Sequence, residues 1–134
     1  MSALRYLLDT NIVSDLIRNP LGKAAKRQQR EGDDSVCTSI IVAAELRYGA
    51  AKHGSPRLLS LVEGVLGSIP VLPFDIPADA EYAEIRAGLE AAGKPIGPND
   101  MLIAAHAHAL SLTLVTADAE FSRIPNLQVE NWLE

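Results

Sequence analysis

The chain has 134 residues, a length that suits one folded domain with a buried core, and we predict a single domain over residues 1–134. Hydrophobic residues make up 48% of the chain and aromatic residues only 4%, which indicates an aliphatic core and excludes disorder in bulk. The formal net charge of −5 argues against a protein that simply coats nucleic acid, but not against an enzyme whose acids surround a metal ion.

Apolar runs and cysteine content indicate where the protein works. No apolar run approaches the length of a membrane span, and the N-terminal segment lacks the apolar region of a signal peptide. Cys37 is the single cysteine, so an internal disulfide is excluded. We expect a cytoplasmic protein with no membrane partner.

Short apolar strands alternate with helices along the chain. The first strand is Tyr6-Leu7-Leu8, which runs directly into Asp9, Thr10 and Asn11. The later predicted elements are helices over 13–19 and 21–31, a strand over 35–38, helices over 39–52 and 58–66, a strand over 69–72, a helix over 77–92 capped by Asp75, a helix from Pro98, a strand over 111–116, a short helix over 119–122 and a strand over 127–129. This alternation predicts an α/β fold, a short parallel sheet of about five strands flanked by helices on both faces.

Two acids follow predicted buried strands. Asp9 ends the first strand, and Asp118 follows the strand over 111–116. Ligands in open α/β sheets bind at the carboxyl ends of the strands, so both positions suit a functional carboxylate. The alternative for each is a structural role as the N-cap of the helix that follows.

Two further acids lie on predicted helices. Glu45 shares a helical face with Ile41, Ala44 and Tyr48, which we expect to point inward, and an inward carboxylate without a partner is costly. A structural Glu45 would need a basic partner. Asp100 lies in a first helical turn, where the alternative is a favourable interaction with the helix dipole.

Together these four acids would meet at one edge of the sheet. Two carboxylates 4 Å apart repel by ~4 kcal/mol at an effective dielectric of ~20, so such a cluster needs protons or a divalent cation. Oxygen ligands favour Mg²⁺, which can activate water for phosphodiester hydrolysis without a nucleophilic side chain. No zinc-type Cys/His spacing is present, and we interpret His106 and His108, two residues apart on a helix, as structural or surface residues.

The predicted helix over 21–31 carries four cations on one face. They are Lys23, Lys26, Arg27 and Arg30. A solvated surface helix explains this pattern, and a stripe that contacts RNA phosphates is the alternative.

Four segments carry a further signal. They are Leu7-Leu8-Asp9-Thr10-Asn11, Ala44-Glu45-Leu46, Gly97-Pro98-Asn99-Asp100 with Ile103-Ala104-Ala105, and Leu114-Val115-Thr116-Ala117-Asp118-Ala119-Glu120-Phe121. With the closing Val129-Glu130-Asn131-Trp132, they resemble the PIN-domain ribonucleases, in particular the toxin component of VapBC toxin–antitoxin pairs.

The resemblance implies a site and partners. The implied site consists of four acidic residues, Asp9, Glu45, Asp100 and Asp118. They are implied as catalytic residues and as ligands of Mg²⁺, and Mn²⁺ is implied as a substitute for Mg²⁺. Thr10, Asn11 and Thr116 are implied as polar neighbours that orient ligands or waters. Glu120 either joins the site or lies on the helix surface. The resemblance also implies an RNA substrate, a homodimer and inhibition by a small antitoxin protein in a higher assembly.

Two other classes of protein place an acid at the end of a parallel strand. A receiver-type signalling domain would need a lysine after a late strand, but the last lysine of this chain is Lys94. A non-catalytic nucleic-acid-binding α/β domain is the other alternative. Chelator-sensitive cleavage of RNA separates both from a nuclease.

Overall fold

The computed structural model describes residues 3–134, so the first two residues of the predicted domain lie outside it. Its strands are β1 (Tyr6–Leu8), β2 (Val36–Ser39), β3 (Val71–Leu72), β4 (Thr113–Val115) and β5 (Val129–Glu130). They form one sheet in the order β3-β2-β1-β4-β5, and every neighbouring pair is parallel. The predicted parallel α/β architecture is confirmed.

Six α-helices connect these strands within residues 3–134. They are α1 (Thr10–Arg18), α2 (Lys23–Glu31), α3 (Ile40–His53), α4 (Pro56–Leu66), α5 (Ala78–Ala91) and α6 (Pro98–Ala109). Short 3₁₀ turns cover Asp33–Ser35 and Ala119–Arg123. Because the sheet extends from β1 in both directions, right-handed crossovers bring helices to both of its faces.

The core is aliphatic, as its composition predicts. Leu7, Leu8 and Leu114 of the central strands are fully buried. α6 contributes a stripe of small residues, since Ala104 and Ala107 are also fully buried. Small side chains let α6 approach its neighbours closely, which fixes the helix that carries Asp100. Among residues 3–134, no helix has the length and apolar character needed to cross a bilayer.

Several predicted boundaries are wrong. α1 begins at Thr10 rather than at residue 13, because Asp9 caps it. Asp75 does not cap α5, which begins at Ala78 with Pro77 in the cap position. Instead, the Asp75 side chain accepts a hydrogen bond from the backbone N–H of Ile76. β3 and β5 are also shorter than their predicted strands, at two residues each.

The predicted inward face of α3 is wrong as well. Its buried residues are Val42, Ala43, Leu46 and Ala50. Ala44 is exposed and Tyr48 is 67% exposed, so Glu45 lies at the border of the buried stripe and is half-buried.

Candidate acidic metal site

Asp9 lies where β1 ends and α1 begins, and its carboxylate is held on both oxygens. Oδ1 accepts the backbone N–H of Thr10 at 2.8 Å. Oδ2 accepts the Thr116 hydroxyl at 2.8 Å and the Asn11 amide at 3.3 Å. The residue is only 3% exposed, so its orientation is fixed by protein groups rather than by solvent.

The pKa of Asp9 reflects opposing effects. Burial raises it, the hydrogen bonds from Thr116 and the Thr10 backbone lower it, and repulsion from Glu45 and Asp118 raises it further. The net direction is upward.

Thr116 connects the two acids that follow strands. Its hydroxyl donates to Asp9 and accepts the backbone N–H of Asp118 at 3.1 Å. Asn11 strengthens this connection, because its side-chain oxygen accepts the backbone N–H of Ala117 at 3.0 Å. The loop after β4 is therefore attached to the start of α1, as expected where parallel strands end at one edge.

Asp100, Asp118 and Glu120 form the tightest acidic group. One carboxylate oxygen from each lies within 4.8 Å of the other two, and all three residues are half-buried. Asp118 caps the 3₁₀ turn over Ala119–Arg123, since its Oδ1 accepts the Glu120 backbone N–H at 2.9 Å. The resemblance leaves the position of Glu120 open, and its two-residue spacing from Asp118 on this turn brings it to the cluster.

The charge of Asp100 is poorly compensated. Burial, followed by repulsion from Asp9, Asp118, Glu45 and Glu120, raises the pKa of Asp100 to about 6. No side chain among residues 3–134 forms an ion pair with Asp100 or Asp118. Glu120 is the exception in the cluster, because Arg123 lies 3.8 Å away.

Glu45 faces the same site from α3. Its Oε1 accepts the Thr10 hydroxyl at 2.6 Å, and its charge raises the pKa of both Asp9 and Asp100. Glu45 is not part of the 4.8 Å group formed by Asp100, Asp118 and Glu120. Its partner in the structure is a hydroxyl rather than the basic residue that a purely structural role would require.

His106 connects the two helices that carry Glu45 and Asp100. Its Nδ1 is hydrogen-bonded to the hydroxyl of Ser39, the N-cap of α3, at 2.7 Å. Burial lowers the pKa of this imidazole, so it is uncharged at neutral pH. His108 pairs with Glu81 at 2.7 Å, and neither residue belongs to the group of Asp100, Asp118 and Glu120.

The donor set suits a hard divalent cation. Several carboxylates converge, and burial together with their mutual repulsion raises the pKa of Asp100. Their oxygen atoms are the ligands that Mg²⁺ and Mn²⁺ prefer. The four cations predicted on α2 lie outside this group of acids, around a cavity that Trp132 also lines.

Known proteins resemble this chain over nearly its full length. The PIN domain family model matches residues 6–127. Ribonuclease VapC2 of Haemophilus influenzae is 41% identical over 133 residues, which cover 97% of this chain and 99% of that protein. The tRNA(fMet)-specific endonuclease VapC of Shigella flexneri is 37% identical over 131 residues, 96% of this chain and 98% of that protein.

A solved structure gives the same answer for the fold. The crystal structure of DNA-bound VapBC from Salmonella typhimurium superposes with a TM-score of 0.91 at 38% identity, covering 96% of this chain and 98% of that one. The chain therefore belongs to the PIN-domain family, among the VapC ribonucleases.

Proposed function

We propose that the chain is a Mg²⁺-dependent endoribonuclease toxin that hydrolyses RNA phosphodiester bonds in the cytoplasm. The observation that carries the proposal is the convergence of Asp100, Asp118 and Glu120 within 4.8 Å, beside Asp9 and Glu45. These acids lie at the edge where chain order reverses in the sheet, the usual ligand site of such folds.

The protein groups of the site have distinct roles. Asp100, Asp118 and Glu120, with Asp9 and Glu45 beside them, would hold the metal. When bound, Mg²⁺ or Mn²⁺ supplies the activation of water and neutralises charge at the phosphate. Thr116 and Asn11 orient Asp9 before metal binds, and the Thr10 hydroxyl orients Glu45. No side chain has to act as a nucleophile.

An antitoxin partner is supported by the solved structures that this chain resembles, which include VapBC of Salmonella typhimurium and VapBC-1 of nontypeable Haemophilus influenzae. A groove of about 420 Å³ lies beside the acids, and its lining includes Thr10, Glu45, Leu46, Leu58 and Val62. We propose that a cognate antitoxin inserts apolar side chains there and blocks the acids. A homodimer of this chain, within a larger assembly with the antitoxin, completes the proposal.

RNA cleavage with and without chelator tests the nuclease. We expect the purified chain to cut a labelled RNA in Mg²⁺ or Mn²⁺ and to lose this activity in excess EDTA. Asp79, an exposed first-turn acid of α5, gives a matched control, because Asp79→Asn removes an acid outside the site. Equal activity in EDTA would overturn the proposal.

The antitoxin is tested separately. The protein encoded beside this chain should co-purify with it and abolish cleavage. If no neighbouring protein binds, the toxin assignment fails while the nuclease assignment stands.

A further inference from the structure

One face of α2 concentrates positive charge in a protein whose net charge is −5. Lys23, Lys26, Arg27 and Arg30 follow helical spacing, so they form a stripe about 10 Å long at 1.5 Å per residue. We call this set the α2 basic face. Three of its members, Lys23, Lys26 and Arg30, are exposed.

Arg27 differs from the other three because its charge is already compensated. Its Nε lies 2.8 Å from Glu31, and its Nη2 lies 2.9 Å from Glu130. Its guanidinium also stacks over the ring of Trp132, 5.3 Å from the centroid. Trp132 in turn donates its Nε1–H to Glu130 at 3.0 Å. Arg27 is therefore held in place by its ion pairs and by its contact with Trp132, and it supports the other three cations of the α2 basic face.

The other three cations remain available. Within residues 3–134, neither Lys23, Lys26 nor Arg30 forms an ion pair. Together with Arg27 they line an open cavity of about 370 Å³ in which Glu134 is the one carboxylate. An excess of cations around a concave surface attracts polyanions.

The chemistry of the cavity favours phosphates over a protein partner. Protein interfaces depend on a few buried apolar anchors, and Trp132, the cavity's apolar ring, is only 3% exposed. Phosphate contacts need only positioned cations.

Glu130, the partner of Arg27, is also connected to the acidic site. The backbone N–H of Thr116 donates to the carbonyl of Glu130 at 2.9 Å, and Thr116 holds Asp9. The α2 basic face is therefore connected to Asp9 of the acidic site through Arg27, Glu130 and Thr116.

We propose that Lys23, Lys26 and Arg30 bind backbone phosphates of the RNA substrate away from the cleaved bond, with Arg27 as their support. This inference rests on the proposed ribonuclease function. It assigns a substrate-binding surface outside the acidic site. It also predicts that these three residues contribute to the salt dependence of the affinity for RNA.

The test compares two double variants of the full chain. Lys23→Gln with Lys26→Gln removes two charges from the α2 basic face. The control, Arg47→Gln with Arg86→Gln, removes two exposed charges that are ion-paired with Glu63 and Glu90. Binding of a labelled single-stranded RNA is measured in EDTA over a range of salt concentrations, so that cleavage does not interfere.

We expect the lysine variant to bind RNA about tenfold more weakly at 0.1 M salt and to lose about 1.4 from the slope of log K against log salt. The arginine control should match the wild type, and Lys23→Arg with Lys26→Arg should retain the slope. An unchanged slope in the lysine variant would overturn the inference. So would a loss of affinity for duplex DNA or for the antitoxin with RNA binding intact.

A cleavage assay on the same RNA keeps the two proposals apart. Absence of Mg²⁺-dependent cleavage by the wild type would refute the proposed function. Normal cleavage with an unchanged salt slope would refute only the phosphate-binding surface.

Discussion

Asp9 and Asp100 belong to the same acidic site but have opposite surroundings. Asp9 is almost completely buried and accepts hydrogen bonds from Thr10, Asn11 and Thr116. Asp100 is half-buried, faces four other carboxylates, and has a pKa raised to about 6. The protein thus fixes one acid by itself and leaves the charge of the other to be compensated by a cation. The part of the site around Asp9 is preorganised by hydrogen bonds, whereas the part around Asp100 retains uncompensated repulsion between carboxylates.

Removing Asp100 or Asp118 from the acidic site should have the largest effect on cleavage. Asp100→Asn and Asp118→Asn each remove a proposed ligand at nearly constant shape. Loss of groups that merely support metal ligands costs about 10–100-fold, so we expect each variant to lose more than about 100-fold in RNA cleavage. Initial rates in saturating Mg²⁺ measure this. Activity within tenfold of the wild type would remove that residue from the site.

Thr116→Val makes Asp9 more like Asp100. The substitution removes the hydroxyl that donates to Asp9 at 2.8 Å while keeping a β-branched shape. We expect cleavage to fall about 10–100-fold and metal affinity to weaken. Thr116→Ser retains the hydroxyl and should recover most of the activity. A larger loss in Thr116→Ser than in Thr116→Val would indicate a packing role for the γ-methyl group instead.

The raised pKa of Asp100 predicts a pH-dependent stability in metal-free protein. The folded state binds a proton at Asp100 up to about pH 6, whereas the unfolded chain releases it near its ordinary pKa of 3.8. Stability from this residue is therefore lost as pH rises from about 4 to 6. Relative to the wild type, Asp100→Asn should gain about 1–2 kcal/mol above pH 6, after allowance for solvent screening, and almost nothing near pH 4.

Urea unfolding in EDTA across this pH range measures the difference. Asp79 is an exposed acid outside the cluster. The difference in stability between Asp79→Asn and the wild type should therefore not follow this pH dependence. A gain for Asp100→Asn that did not change with pH would count against repulsion as its cause.

Glu120 should show the smallest effect on stability. Arg123 lies 3.8 Å from its carboxylate and compensates part of its charge, in contrast to Asp100. We expect Glu120→Gln to change the free energy of unfolding in EDTA by less than about 0.5 kcal/mol. Glu120→Gln should also lose less RNA-cleavage activity than Asp118→Asn. Equal losses would place Glu120 among the principal ligands.

The sequence predicts the sheet and the strand-end acids because both depend on local patterns. A buried strand followed by an acid defines Asp9, and the strand that leads to Asp118 has the same pattern. Parallel strands end at one edge, so their proximity follows from the topology. Boundaries are less predictable, as Asp75 illustrates, because the cap depends on backbone geometry around Pro77.

Contacts between distant segments could not be predicted. The buried face of α3 is hard to predict because this alanine-rich helix has no clear polar side, and the stripe with Val42 and Leu46 is the buried one. The partner of Glu45, Thr10, is 35 residues away in the chain. Glu130, which compensates the charge of Arg27, is 103 residues away in the chain. This ion pair distinguishes Arg27 from Lys23 and Lys26, and the helical spacing of the cations does not predict it.

The most direct test of stored repulsion is thermal unfolding of the wild type and Asp100→Asn at neutral pH, each in EDTA and in Mg²⁺. We predict that metal-free Asp100→Asn melts above the wild type, and that Mg²⁺ raises the Tm of the wild type much more than that of the variant. If Asp100 only served the dipole of α6, the variant would instead lose ~0.3–1 kcal/mol. A metal-free Asp100→Asn that melts below the wild type, together with equal Mg²⁺ shifts, would contradict the account.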